Sequence, residues 1–272
     1  MPMGDTDLGA TKNALIISLV QRELISKAVV MPTIRDASAF AGKGSKSIDV
    51  PRAGSFAVQD RATTVEATLV NVTYATDQIV LDQMSTVSWL VDPQDEIESS
   101  VDVMVDTAQR AAKAQAKNFD TLVIAGLETD STDTATTAAN ITLAVFLEMR
   151  KTLLLAEAEL GNLTFLTGPD QESDLLAISQ FVDADKYGSA IIPSGTLGRL
   201  YGVNVVISSQ IVDTRYYMYD REGYGFAIQR QANMGERAAP EFGSTAVLRT
   251  LDMKWGHAEL QNGDLLLKDA NA

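Results

Sequence analysis

Residues 92–126 read DPQDEIESSVDVMVDTAQRAAKAQAKNFDTLVIAG, and the stretch has the marks of one long helix. Asp92 suits an N-cap, and Pro93 fits the first helical position, where its missing N–H costs nothing. Asp95, Glu96, Glu98, Asp102 and Asp106 fill the first half and Arg110, Lys113 and Lys117 the second, the order that complements the helix dipole. Asp106 and Arg110 also form an i,i+4 pair. Ile97, Val101, Met104, Ala108, Ala111, Gln115 and Phe119 make a mostly apolar stripe, and Gly126 reads as the stop. From Pro93 to Ala125 such a helix spans about 50 Å, longer than a compact domain of this size usually needs. It reads as a strut.

Upstream lies a β-patterned excursion. Ser47–Pro51, Thr64–Tyr74 and Ile79–Trp89 are rich in β-branched residues and alternate, with lapses, at period two. Hairpins are marginal alone in water, and their open edges invite pairing with other chains. With little else nearby to bury this excursion and the strut, the expectation is that the arm from Ser47 to Val91 lies on another subunit.

Composition narrows the classes. The 272 residues, 46% hydrophobic, suffice for one large domain or two smaller ones. The absence of cysteine excludes disulfides and thiolate metal sites and suits a reducing compartment. No basic-then-apolar leader and no run of about 18 apolar residues is present, so secretion and membrane spanning are not indicated. A formal net charge of −14 argues against a general nucleic-acid-binding surface, which needs clustered Lys and Arg.

Along the rest of the chain, Thr11–Lys27 fits a short helix imperfectly, with Ala14, Ile17, Leu19, Val20 and Leu24 apolar; Pro32 and Gly42-Lys43-Gly44 follow, as in a flexible arm. A polar loop runs from Glu128 to Thr134 without the glycine and terminal carboxylate that an EF-hand-type Ca²⁺ loop requires. A helix is predicted over Ala144–Leu160 with Gly161 as its stop, a buried strand over Leu163–Thr167, a turn at Gly168-Pro169-Asp170 and a helix over Gln171–Phe181. Strands are predicted over Val203–Ser208, Gly225–Arg230 and Ala246–Trp255. Helices and strands do not alternate regularly, so the class is α+β.

Catalytic chemistry finds little support. His257 is the only histidine; it stands between Gly256 and Ala258 at a predicted strand end, with no neighbour to orient it, and a pairing with Glu259 is weaker than a packing role beside Trp255. No second histidine completes a zinc site. Gly195–Gly202 lacks the GK[ST] ending of a phosphate loop and precedes a strand rather than following one, so it reads as a turn that lets the backbone enter a packed strand. Asp183 and Asp185 read as a solvated face. No catalytic, cofactor-binding or metal-binding residue is assigned.

The order of arm, β excursion, acidic-to-basic helix, polar loop and strand-and-helix domain, then Tyr219-Asp220-Arg221-Glu222 and a late long strand, resembles the major capsid proteins of tailed bacteriophages. The most specific part is residues 195–208, G-x-L-G-x-x-x-G-V-x-V-x-x-S, followed by Asp220-Arg221. The resemblance covers nearly the whole chain and implies the Hong Kong phage capsid fold. Residues 1–45 would be the N-terminal arm, 46–91 the extended β-hairpin loop, 92–145 and 221–272 the peripheral domain with its spine helix, and 146–220 the axial domain. It further implies self-assembly into hexameric and pentameric capsomers of an icosahedral shell around double-stranded DNA, without sequence-specific binding and without a membrane. A virion protein assembled in the host cytoplasm is implied, with a separate scaffolding protein, a portal and a decoration protein as partners, since no fused scaffold segment is evident. An encapsulin-like nanocompartment shell and an enzyme with an acidic cleft are the alternatives.

Overall fold

The computed structural model describes residues 15–24, 27–42, 44–53, 74–91, 103–134, 141–177, 198–211, 215–242 and 246–270. Helix α1 covers residues 15–24, and α2 (Val103–Asp130), α3 (Leu143–Leu155) and α4 (Pro169–Ala177) follow. The strands are β1 (Arg35–Asp36), β2 (Ser47–Ala53), β3 (Tyr74–Val80), β4 (Gln83–Val91), β5 (Thr132–Asp133), β6 (Leu163–Thr167), β7 (Arg199–Leu200), β8 (Val203–Ile207), β9 (Arg215–Asp220), β10 (Tyr224–Ala238), β11 (Val247–Glu259) and β12 (Leu266–Ala270). They form a four-stranded sheet β1-β10-β11-β4, a mixed six-stranded sheet β5-β12-β9-β6-β8-β7, and the hairpin β2-β3.

The long helix α2 lies between the two larger sheets. Its seam of Ala108, Ala111, Ala112, Ala116, Phe119, Val123 and Leu127 is buried, together with Met234, Leu251, Met253 and Trp255 from the four-stranded sheet and Leu166, Tyr217, Tyr219 and Leu266 from the six-stranded one. Small side chains in the first half of the seam let both sheets approach closely, and Phe119 packs on Trp255 at a ring separation of 4.4 Å. The other face of the six-stranded sheet is closed by Val145, Phe146, Met149 and Leu153 of α3, against Leu163, Phe165, Tyr216 and Met218. Alternate residues of β6 and β9 therefore enter different cores, which is why β6, Leu-Thr-Phe-Leu-Thr, is buried at all five positions and shows no clean period-two alternation.

Two polar pins hold α2 in place. The Gln115 side-chain amide donates to the carbonyls of Ser85 (3.0 Å) and Leu251 (3.2 Å). The Asp120 carboxylate accepts from the N–H groups of Val29 (2.9 Å) and Val30 (3.1 Å), and burial raises its pKa while these two hydrogen bonds offset part of the rise.

Several sequence expectations are corrected. The predicted strand Ile79–Trp89 is two strands: β3 ends at Val80 in the hairpin, and β4 starts at Gln83 and pairs with β11. Every odd position from Ile79 to Trp89 points inward, so the alternation runs through the break unmarked. The helix predicted to stop at Gly126 continues to Asp130, absorbing the start of the predicted polar loop. Helix α3 ends at Leu155 rather than Leu160. Glu157 there takes a left-handed conformation (φ 64°), with Ala158 N–H donating to Leu153 O and Glu157 N–H to Leu154 O, a Schellman end without glycine. The predicted turn at Gly168-Pro169-Asp170 is where α4 begins. Strands β10 and β11 run to 15 and 13 residues, well beyond expectation, with irregular pairing between Ile228 and Asn233 that bends the pair. The N-terminal segment is docked, not free: Ile16, Val20 and Leu24 of α1 are buried in the main core. Residues 64–73, 92–102 and 178–197, with the first ten residues of the predicted strut, Asp183 and Asp185, lie outside the described residues.

Candidate assembly surfaces and a histidine cleft

The hairpin β2-β3 is asymmetric along its length. At its root Ile48, Val50, Ile79 and Leu81 are buried with Ala37, Ala227 and Leu260. Asp77 anchors the same end, accepting from Gln261 N–H at 2.9 Å and facing Arg52 at 4.0 Å. Away from the root, Tyr74 is 71% exposed. The expectation that the chain builds almost nothing around the excursion is thus corrected for its root and for β4, both of which have partners within the chain.

Other large apolar side chains stand in solvent. Met84 (76%) and Leu90 lie on the outer side of edge strand β4, Leu155 (75%) closes α3, and Phe242 (69%) tips the β10–β11 turn. Isolated exposed apolar residues are ordinary. Here they stand on an open sheet edge, a helix end and a loop tip, the places where a second chain gains both backbone pairing and apolar burial.

A second feature lies where α2 ends. Tyr224 Oη and His257 Nδ1 are 2.7 Å apart, and the phenol also hydrogen-bonds Asp130, the last residue of α2. The imidazole packs on Trp255 with ring centroids 5.3 Å apart. His257 therefore does have a neighbour that orients it, contrary to the sequence reading, because β10 places Tyr224 beside it. Gly126 is part of the same arrangement: a Cβ there would fall on the Tyr224 hydroxyl and within 2.7–2.9 Å of the His257 ring. The cleft above, about 570 Å³, is lined by Asp77, Gln78, Thr129, Asp130, His257 and Glu259. Burial lowers the His257 pKa, with Asp130 and Asp82 opposing. Burial raises Asp130 and Glu259, and the neighbouring carboxylates Asp130, Asp77 and Asp264 push Glu259 further up. Among the described residues no three His, Asp or Glu side chains come together as metal ligands. The arrangement ties the ends of α2, β10 and β11 together beneath the hairpin root. Its one signal in the sequence is Gly126, a letter that reads equally as a helix stop.

The glycine-bearing segment behaves as read. Tyr201 (φ 48°) and Gly202 (φ 84°) form a two-residue turn joining β7 to β8 in antiparallel register. Gly195 to Leu197 lie outside the described residues. Among the described residues no helix is long and apolar enough to cross a membrane.

The phage capsid protein family matches this sequence over residues 31–264. The chain belongs to that family. The fold of this capsid protein is similar to that of Mycobacterium phage Che8, at TM-score 0.71 and 16% identity over 89% of this chain and 90% of that one. It is likewise similar to the capsid of cyanophage P-SCSP1u (TM-score 0.70, 14% identity, 90% and 89% covered). A virus-like particle from Pyrococcus furiosus shares the fold at TM-score 0.65 and 10% identity, with 94% and 98% covered. No curated protein sequence matches the chain. The class is α+β as expected, and the protein is a major capsid protein, a structural component of the virion shell.

Proposed function

We propose that this capsid protein builds the icosahedral head of a tailed phage around double-stranded DNA, and that no side chain in it is catalytic. The observation that carries the reading is the family match over residues 31–264 on a chain whose β2-β3 hairpin projects away from a buried root. In this reading residues 1–45 are the N-terminal arm, 46–91 the extended loop, 92–145 and 221–272 the peripheral domain and 146–220 the axial domain. The final strand of the loop region, β4, joins the sheet of the peripheral domain. The projecting part of the loop lies over an adjacent subunit in hexameric and pentameric capsomers, and strand-edge pairing and apolar burial supply the association energy. Assembly takes place in the host cytoplasm with a separate scaffolding protein, a portal and a decoration protein, and the acidic chain encloses DNA without gripping its bases.

Electron microscopy of the expressed protein, with and without its genomic neighbours, tests this: closed shells are expected. Amide exchange along β2 and β3 beyond the buried root should be fast in free subunits and slow in shells. Particles holding a defined enzyme and no DNA would instead identify a protein-cargo compartment, and a monomer with chemical turnover would reject the shell reading.

A further inference from the structure

One cleft is left unused by the assembly surfaces above. It lies at the β7 end of the six-stranded sheet, about 420 Å³ in volume, with Thr164 and Asn204 among its lining and the residues 29–33 segment as one wall. Arg199 and Arg221 both line it. One turn places the two: Arg199 donates to Gly161 O at 2.9 Å, and the Arg221 backbone N–H donates to Asn162 O at 3.2 Å. Each guanidinium keeps free N–H groups, because among the described residues neither forms an ion pair. The nearby acids are already engaged. Asp220 accepts from the backbone of Glu159 and Glu222, Glu159 accepts from the Asn162 amide, and Glu222 pairs with Arg35.

We propose that this cleft receives carboxylate side chains from a second copy of the chain, as a contact between neighbouring subunits in the shell. Two guanidinium groups lining one cleft, that of Arg199 held to the Gly161 carbonyl and that of Arg221 carried on a backbone tied to Asn162, suit a pair of carboxylate oxygens. Charge complementarity selects the occupant. A copy carries 36 acidic against 22 basic residues, so carboxylates are its commonest charged groups, and in a shell built of copies a neighbouring subunit is the partner that brings them to the cleft. The contact is heterologous: the donor lies elsewhere on the molecule, and repeated around an axis it closes a ring.

The inference rests on the shell reading, and its test separates the two. R199E/R221E is compared with the parent for shell yield by electron microscopy and sedimentation, with circular dichroism confirming the fold. A parent that forms shells and a folded variant that yields less than about a tenth of them are expected. In a second arm, R199K/R221K shells assembled from mixed ¹⁴N and ¹⁵N subunits are treated with a zero-length carbodiimide. Mixed-isotope cross-links from the amines introduced at positions 199 and 221 to carboxylates are expected. Normal shells from R199E/R221E, or cross-links confined to one isotope, overturn the cleft and leave the shell reading standing. A parent that forms no shells overturns both. Oligonucleotide binding to free parent subunits that R199E/R221E abolishes assigns the cleft to nucleic acid instead.

Discussion

Replacing Gly126 with alanine pits two effects of opposite sign against each other. Alanine exceeds glycine in helix propensity by about 1 kcal/mol, so in an open helix the change would stabilise. In α2 the new methyl group meets the Tyr224 hydroxyl and two atoms of the His257 ring inside 3.0 Å. Overpacking at one site costs roughly 1–3 kcal/mol, and three simultaneous contacts on rings fixed by Trp255 and Asp130 place it near the top of that range. The net expectation is a loss of about 2 kcal/mol, a fall in Tm of roughly 4–8 °C for a domain of this size. Urea unfolding of unassembled subunits, with a double-mutant cycle to Tyr224→Phe, isolates the cause. Removing the hydroxyl frees part of the space, so the two substitutions together should cost clearly less than their sum. A G126A subunit more stable than the parent, or strict additivity with Tyr224→Phe, would refute the close packing of α2 on this cluster.

The other predictions concern the same scaffold. Burial holds His257 below its ordinary 6.5, so the unfolded chain takes up its proton first; this contribution is complete above the ordinary value and lost as pH falls through the folded one. Asp130 and Glu259 are raised and act in the opposite sense, penalising the fold as pH climbs out of the usual carboxylate range. His257→Gln should flatten stability between roughly pH 7 and 5 while leaving shell formation intact; an unchanged slope in urea titrations would detach His257 from the effect. Ala111→Pro removes a helix hydrogen bond and clashes in the middle of a buried seam, at about 3 kcal/mol or more, so few closed shells should be visible by microscopy. Gln115→Leu leaves the Ser85 and Leu251 carbonyls without their side-chain donor and should cost about 1–3 kcal/mol in chemical unfolding.

The strut was legible because its apolar seam repeats at helical spacing, and β6 because Leu163, Phe165 and Leu166 stand among strand-favouring threonines in a short segment bounded by Gly161 and Gly168. Gly126 misled because a glycine that permits close approach carries the same letter as one that ends a helix; only Tyr224, nearly a hundred positions away, tells them apart. The end of α3 was missed because Glu157, not Gly161, takes the left-handed position. The break after Val80 was invisible for the opposite reason: inward-facing positions keep step from the hairpin into the sheet, although the partner strand changes. The Tyr224–His257 contact and the Arg199–Arg221 cleft join segments distant in sequence, and local pattern does not register such meetings.

Gln115 and Asp120 also constrain how this molecule moves. Five residues apart, they are separated by about 500° of winding and leave the helix axis in directions some 140° apart. One fastens α2 to the four-stranded sheet and the other to the segment before β1. Two rivets set at an angle resist both rolling and sliding: a slip of a single residue turns the helix by about 100° and strands a buried carboxylate and a buried amide together. Any change of curvature during a shell rearrangement must therefore fall outside residues 115–120, whose stretch of helix travels as one body with the sheet on one side and the N-terminal segment on the other.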